Sequence, residues 1–122
     1  MSGFIARLGK AWEKNDSLLC IGLDPEIERF PRQIAAEASP IFQFNKAVID
    51  ATHDLVCAYK PQFAHYAAYE AEDQLERTIE YVHRTYPGIP VILDGKLYLR
   101  EQDNILCYDV RAKGPGSPLA HR

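Results

Sequence analysis

The sequence predicts an α/β protein built on a parallel sheet, in the order βαβαβ. Three observations carry this. Three short apolar runs recur at a spacing of roughly 35 residues, each too short for a helix, and the third, Ile89 to Leu93, is Val/Ile-rich without polar alternation, as in a strand covered on both faces. Between them lie two longer stretches with apolar residues at three- and four-residue spacing. Parallel neighbours need a crossover of a dozen residues or more, and these stretches supply it.

Along the chain, Phe4, Ile5, Leu8 and Trp12 share one face of a predicted opening helix, which Asn15-Asp16-Ser17 ends. Leu18 to Gly22 reads as the first strand, buried on both faces, followed by Leu23-Asp24-Pro25 and a Pro-punctuated loop. Ser39-Pro40 forms a helix start, serine as the cap and proline in the first turn. Ile41, Phe44, Val48, Ala51 and Leu55 then define an apolar face over about four turns.

The second strand centres on Val56-Cys57-Ala58-Tyr59 and should stop at Lys60-Pro61, where proline lacks an N–H. A second long helix turns Leu75, Ile79 and Val82 inward and Glu72, Glu76, Arg77, Glu80 and Arg84 to water, until Tyr86-Pro87-Gly88 breaks it. Ile89 to Leu93 is the third strand.

Composition narrows the function. The chain has 122 residues, 47% hydrophobic and 25% charged, which suits one globular domain. A net charge of −3, without a basic block, argues against nucleic acid and anionic membranes as partners. Cys20, Cys57 and Cys107 are odd in number and lack a CxxC pair, so buried free thiols are expected rather than disulfides or zinc. His53, His65, His83 and His121 show no metal-ligand spacing. No apolar run is long enough for a membrane span, and a cytoplasmic protein is expected.

The chemistry gathers at the strand ends. Asp24 follows the first strand, Lys60 the second, and Asp94 with Lys96 the third. All carboxyl ends of a parallel sheet point the same way, so these four side chains should meet over one rim. A single charge ending a strand merely returns the chain to water. A set of alternating acids and amines is harder to explain so simply, because groups desolvated at such a mouth must be paired. A lysine held protonated by flanking carboxylates can stabilise a developing carbanion and then donate its proton, while a carboxylate crowds an anionic group due to leave. Decarboxylation fits. His65 and Tyr66 follow the second strand near the same rim, within reach of a ligand there, although a lone histidine in a loop is more often structural, and Asn45 and Lys46 read as solvent or loop contacts at the start of their helix.

The segments "SLLCIGLDPE", "FNKAVIDATHDLVCAYKPQFAHYAAYEAEDQLERTIEYV" and "VILDGK" together resemble the amino-terminal third of orotidine 5′-phosphate decarboxylases of the longer bacterial subgroup, from about Phe4 to Lys96. The resemblance implies the first part of a (β/α)8 TIM barrel. It also implies a homodimer that works without metal or organic cofactor, converting orotidine 5′-monophosphate to UMP and carbon dioxide. By position, Asp24 and Lys60 match family residues that contact the ribose hydroxyls and join the charged network. Asp94 and Lys96 match the first acid and the proton-donating lysine of an Asp-Ala-Lys-Arg-Gly-Asp signature.

The likeness stops there. Gly95 stands where alanine is usual, and Leu99 stands where the second signature aspartate is expected. Asp103 and Asp109 have no spacing that would let them substitute. Residues 97–122 form a divergent tail, Gly/Pro-rich from Ala112 to Pro118 and expected to be poorly ordered, with one further strand an open choice at Asn104 to Val110. Residues 1–96 then make the βαβαβ part of the barrel. The expectation is a truncated decarboxylase of uncertain activity, prone to associate through its open sheet edges. Two alternatives stand beside it: a non-catalytic fragment that binds a sugar phosphate or a full-length subunit, and a Schiff-base aldolase-type lyase using Lys60 or Lys96.

Overall fold

The computed structural model describes residues 3–95. Lys96 and the whole of 97–122, with the tail and strand expected there, lie outside the described residues. The elements run α1 (Phe4–Asn15), β1 (Cys20–Leu23), a 3-10 turn (Ile27–Arg29), α2 (Arg32–Ala35), α3 (Pro40–Thr52), β2 (Ala58–Pro61), α4 (Phe63–Ala67) and α5 (Glu72–Thr85).

β1 and β2 pair in parallel, Cys20 opposite Ala58 and Leu23 opposite Pro61. The third segment joins the other side of β2 through parallel bridges at Tyr59–Val91 and Gln62–Asp94 rather than as a continuous strand. Its backbone bonds alternate along the chain: Ile92 N–H to the Tyr59 carbonyl at 2.8 Å and Asp94 N–H to the Pro61 carbonyl at 2.9 Å. Pro90 offers no N–H, and only its carbonyl is used, accepting from Tyr59 N–H at 3.2 Å. The spatial order is therefore the sequence order, the arrangement with which a TIM barrel begins.

Period-two alternation divides the sheet's faces. Leu23, Tyr59, Val91 and Leu93 belong to the main core with Ile41 and Ile49 of α3 and Leu75, Ile79 and Val82 of α5. Ala58 and Ile92 lie on the opposite face, where Ala11 of α1 packs against them and Cys57, flanked by Phe4 and Leu8. The end of α1 is tied beneath β2: the Asn15 side-chain amide donates to the carbonyls of His53 (3.0 Å) and Val56 (2.7 Å).

Several expectations change. The first strand is not buried on both faces: Leu18 is 77% and Leu19 50% exposed, and Cys20 is an exposed thiol, since β1 has β2 on one side and no described strand on the other. On α1, Ile5 and Trp12 of the expected apolar face are also exposed, Ile5 more than Trp12. The buried stripe of α3 is Ile41, Asn45 and Ile49, one residue round from the expected face, and Leu55 is exposed beyond the helix end. Ser39 makes no side-chain cap. Its hydroxyl instead accepts from Arg77 at 2.9 Å. Lys60 sits within β2 rather than after it, because Pro61 needs no N–H to close the strand and still offers a carbonyl.

α3 is clamped to α5 at Asp50, whose carboxylate accepts from Tyr81 and from Tyr86 (2.7 Å) and pairs with Lys46 at 2.9 Å. Burial alone would raise this carboxyl, and the hydroxyls of Tyr81 and Tyr86 with the Lys46 ammonium outweigh it, holding Asp50 below the usual carboxylate range. A depressed carboxyl contributes stability that is complete above its unfolded value of about 4 and is lost as pH falls through its folded value. Thermal melts across pH should show wild type above Asp50→Asn near neutrality, with the gap closing in the acid range. A gap independent of pH would contradict this.

Candidate active site

Alternation that sends Leu23, Tyr59, Val91 and Leu93 to the helices sends the intervening residues to the concave face. Gly22, Lys60 and Ile92 form one level of that face, and Asp24, Gln62 and Asp94 the level above it, at the carboxyl ends of the strands. The sequence thus places an amine and two carboxylates on one side of one rim.

Contacts support the parity. Lys60 Nζ lies 3.6 Å from Asp94 Oδ2, across neighbouring strands, with the carboxylate side chain 9% and the ammonium 35% exposed. An ion pair so placed is neither a screened surface pair nor a fully buried one, and each partner offsets part of the other's desolvation. Asp24, on the far side of β2 from Asp94, accepts from the Gln62 backbone N–H at 3.0 Å through Oδ1. The level is therefore bracketed by acids on the outer two segments, with the Lys60 amine rising from the middle one. Lys96, the proton donor implied by the resemblance, lies outside the described residues.

Gly95 bears on that lysine. Its φ is 129°, a conformation open to glycine and strained for alanine.

Behind the sheet, polar groups hold the rim in place. Tyr66, expected near the mouth, is fully buried in the core instead, with its hydroxyl donating to the Leu23 carbonyl at 2.7 Å. Burial is the main cause that raises this phenol well above its ordinary value, so it acts as a neutral donor. Asn45 is also fully buried rather than solvent-facing, and its amide donates to Tyr66 Oη (3.0 Å) and Thr78 Oγ1 (3.1 Å). Thr78 passes the chain on to the Gln74 carbonyl at 2.8 Å. This network joins α3, α4 and α5 to the residue just before Asp24. Sequence reasoning missed it; the one available signal was an Asn inside an otherwise apolar helix stripe. Lys46 turns to Asp50 on the outside of the barrel wall and takes no part in the rim.

Among the described residues no cluster of three or more His, Cys, Asp or Glu could hold a metal ion, and no helix is long and apolar enough to cross a membrane.

No family model matches the chain. It is similar to curated orotidine 5′-phosphate decarboxylases, 60% identical over 95 residues to that of Cellvibrio japonicus and 55% identical over 93 residues to that of Ralstonia nicotianae. Each match covers 76% of this chain and 35% or 34% of the relative, so the chain spans about a third of their length. A solved Toxoplasma gondii structure, described as an orotidine-monophosphate decarboxylase, superposes with a TM-score of 0.67 at 33% identity, covering 77% of this chain and 31% of that one. Sequence and fold together place this chain in the orotidine 5′-phosphate decarboxylase family, over a segment about a third as long as the curated members it matches.

Proposed function

We propose that this chain carries the ribose-binding and proton-donating strands of an orotidine 5′-phosphate decarboxylase site, converting orotidine 5′-monophosphate to UMP and carbon dioxide in pyrimidine biosynthesis. The observation that carries the reading is the Lys60–Asp94 pair on the concave face, with Asp24 on the same rim. In this assignment Asp24 and Lys60 receive the ribose hydroxyls. Asp94 sets a negative charge against the substrate carboxylate, which the departure of carbon dioxide relieves. The electron pair left on the ring carbon is stabilised by the Lys96 ammonium and then takes its proton, so that atoms and charge balance without a cofactor. A Schiff base at Lys60 is a poorer account, since that chemistry wants an amine desolvated among apolar walls and Lys60 faces a carboxylate at 3.6 Å.

On this reading the edge of β1 that faces away from β2, next to the exposed Leu18 and Leu19, is the seam where the last strand of a closed barrel would pair. The test is a graft: residues 1–96 of this chain joined to the remaining two thirds of the Cellvibrio japonicus relative, assayed by the ultraviolet absorbance lost as orotidine monophosphate is consumed. The graft should turn over substrate at a rate within about tenfold of the relative. A folded graft without activity would overturn the assignment.

A further inference from the structure

Gly22 occupies the concave face between two functional positions, level with Lys60 and two residues before Asp24. Its backbone does not explain it. Among the described residues only Gly95 is a glycine with positive φ, so Gly22 keeps a conformation that other residues adopt freely. Glycine inside a strand also weakens it, through unfolded-state entropy and a missing side chain. Space does explain it. A Cβ at Gly22 would lie 3.2 Å from Asp24 Oδ2, 3.8 Å from Asp24 Cγ and 3.8 Å from the Lys60 carbonyl oxygen. The first of these is tighter than ordinary contact, so the carboxylate would have to give.

We propose that Gly22 is a positioning residue for the candidate active site: its missing side chain is the slot into which the Asp24 carboxylate folds, back along β1, to be held by the Gln62 amide. The carboxylate has one oxygen fixed by Gln62 N–H at 3.0 Å and the other resting over Gly22. From the opposite face the Tyr66 hydroxyl fixes the Leu23 carbonyl at 2.7 Å, so the backbone entering Asp24 cannot swing to relieve a clash. A side chain at position 22 therefore moves the acid and not the strand. The significance for ribose binding rests on the decarboxylase reading; the geometry does not.

The experiment uses the full 122-residue chain, labelled with nitrogen-15, and follows the Gln62 amide proton, whose resonance should lie downfield while it donates to a carboxylate. Asp24→Ala should move it upfield. Gly22→Ala should produce about half of that displacement or more, with the Tyr59 and Ile92 amides, which bond across β2 and the third segment, unchanged. If Gly22→Ala fails to fold, the double variant Gly22→Ala/Asp24→Ala should recover the fold, because the clash is with the carboxylate. The inference is overturned if Asp24→Ala leaves the Gln62 amide in place, if folded Gly22→Ala does so, or if the double variant stays unfolded. No arm needs substrate, so an inactive graft would remove the decarboxylase reading and leave this result standing, and the converse holds equally.

Discussion

Lys96→Ala in the graft should lower turnover by about a thousandfold or more, with substrate binding weakened far less. The lysine is asked for two things at once, an ammonium beside a developing carbanion and the proton that quenches it. Losing a general acid removes a factor of about 10² to 10⁴, and losing a fixed charge at the reacting centre removes a comparable one. Lys60→Ala should fail differently. If Lys60 contacts the ribose throughout the reaction, its loss weakens ground state and transition state together and raises KM more than it lowers kcat. It also strips the 3.6 Å partner from Asp94, which is only 7% exposed, so part of the effect should be lost stability. Steady-state kinetics on both variants separate the roles. A Lys96→Ala graft that keeps its kcat would remove Lys96 from the chemistry.

The largest effect on stability is expected at Asn45. Asn45→Ala removes two buried donors, to Tyr66 and Thr78, and opens a cavity in the sheet-to-helix layer, at a cost of about 2 to 4 kcal/mol. Asn45→Leu fills the volume instead. Tyr66 keeps its bond to the Leu23 carbonyl and Thr78 its bond to Gln74, while a buried Asn45 Oδ1 without a hydrogen-bond partner among the described residues disappears. The leucine variant should therefore lose about half as much as the alanine variant, or less. Urea unfolding of both, with similar m-values, checks it. Equal losses would mean that the hydrogen bonds, and not the packing, dominate at this position.

How much of this could be read from the chain depends on whether the signal is local. Ile89 to Leu93, Val56 to Tyr59 and Leu18 to Gly22 announce parallel strands because an apolar run of that length has few other uses, and the acids and amines after them follow from strand direction alone. The concave level that holds Asp24 and Asp94 then needs only alternation, and Lys60 Nζ lies 3.6 Å from Asp94 Oδ2 on that face. The burial of Asn45 is not legible in the chain because its partners stand 21 and 33 residues away, where no helical period reaches. Lys60 falls inside β2 because the strand runs on to Pro61 itself, whose carbonyl still accepts from Asp94 N–H, before it ends. The exposure of Leu18, Leu19 and Cys20 follows from an open edge, a property of what lies beside the strand rather than of its own residues. Gly22 carries no signal of its own within the run Leu18 to Gly22, and only the position of the Asp24 carboxylate gives it a reason.

The most direct measurement is a crystal structure of the graft with UMP bound. Asp24 and Lys60 should meet the ribose hydroxyls within about 3 Å, and Asp94 and the Lys96 ammonium should face the base on the same concave side. A nucleotide seated elsewhere, or Asp24, Lys60, Asp94 and Lys96 divided between the two faces of the sheet, would contradict the account.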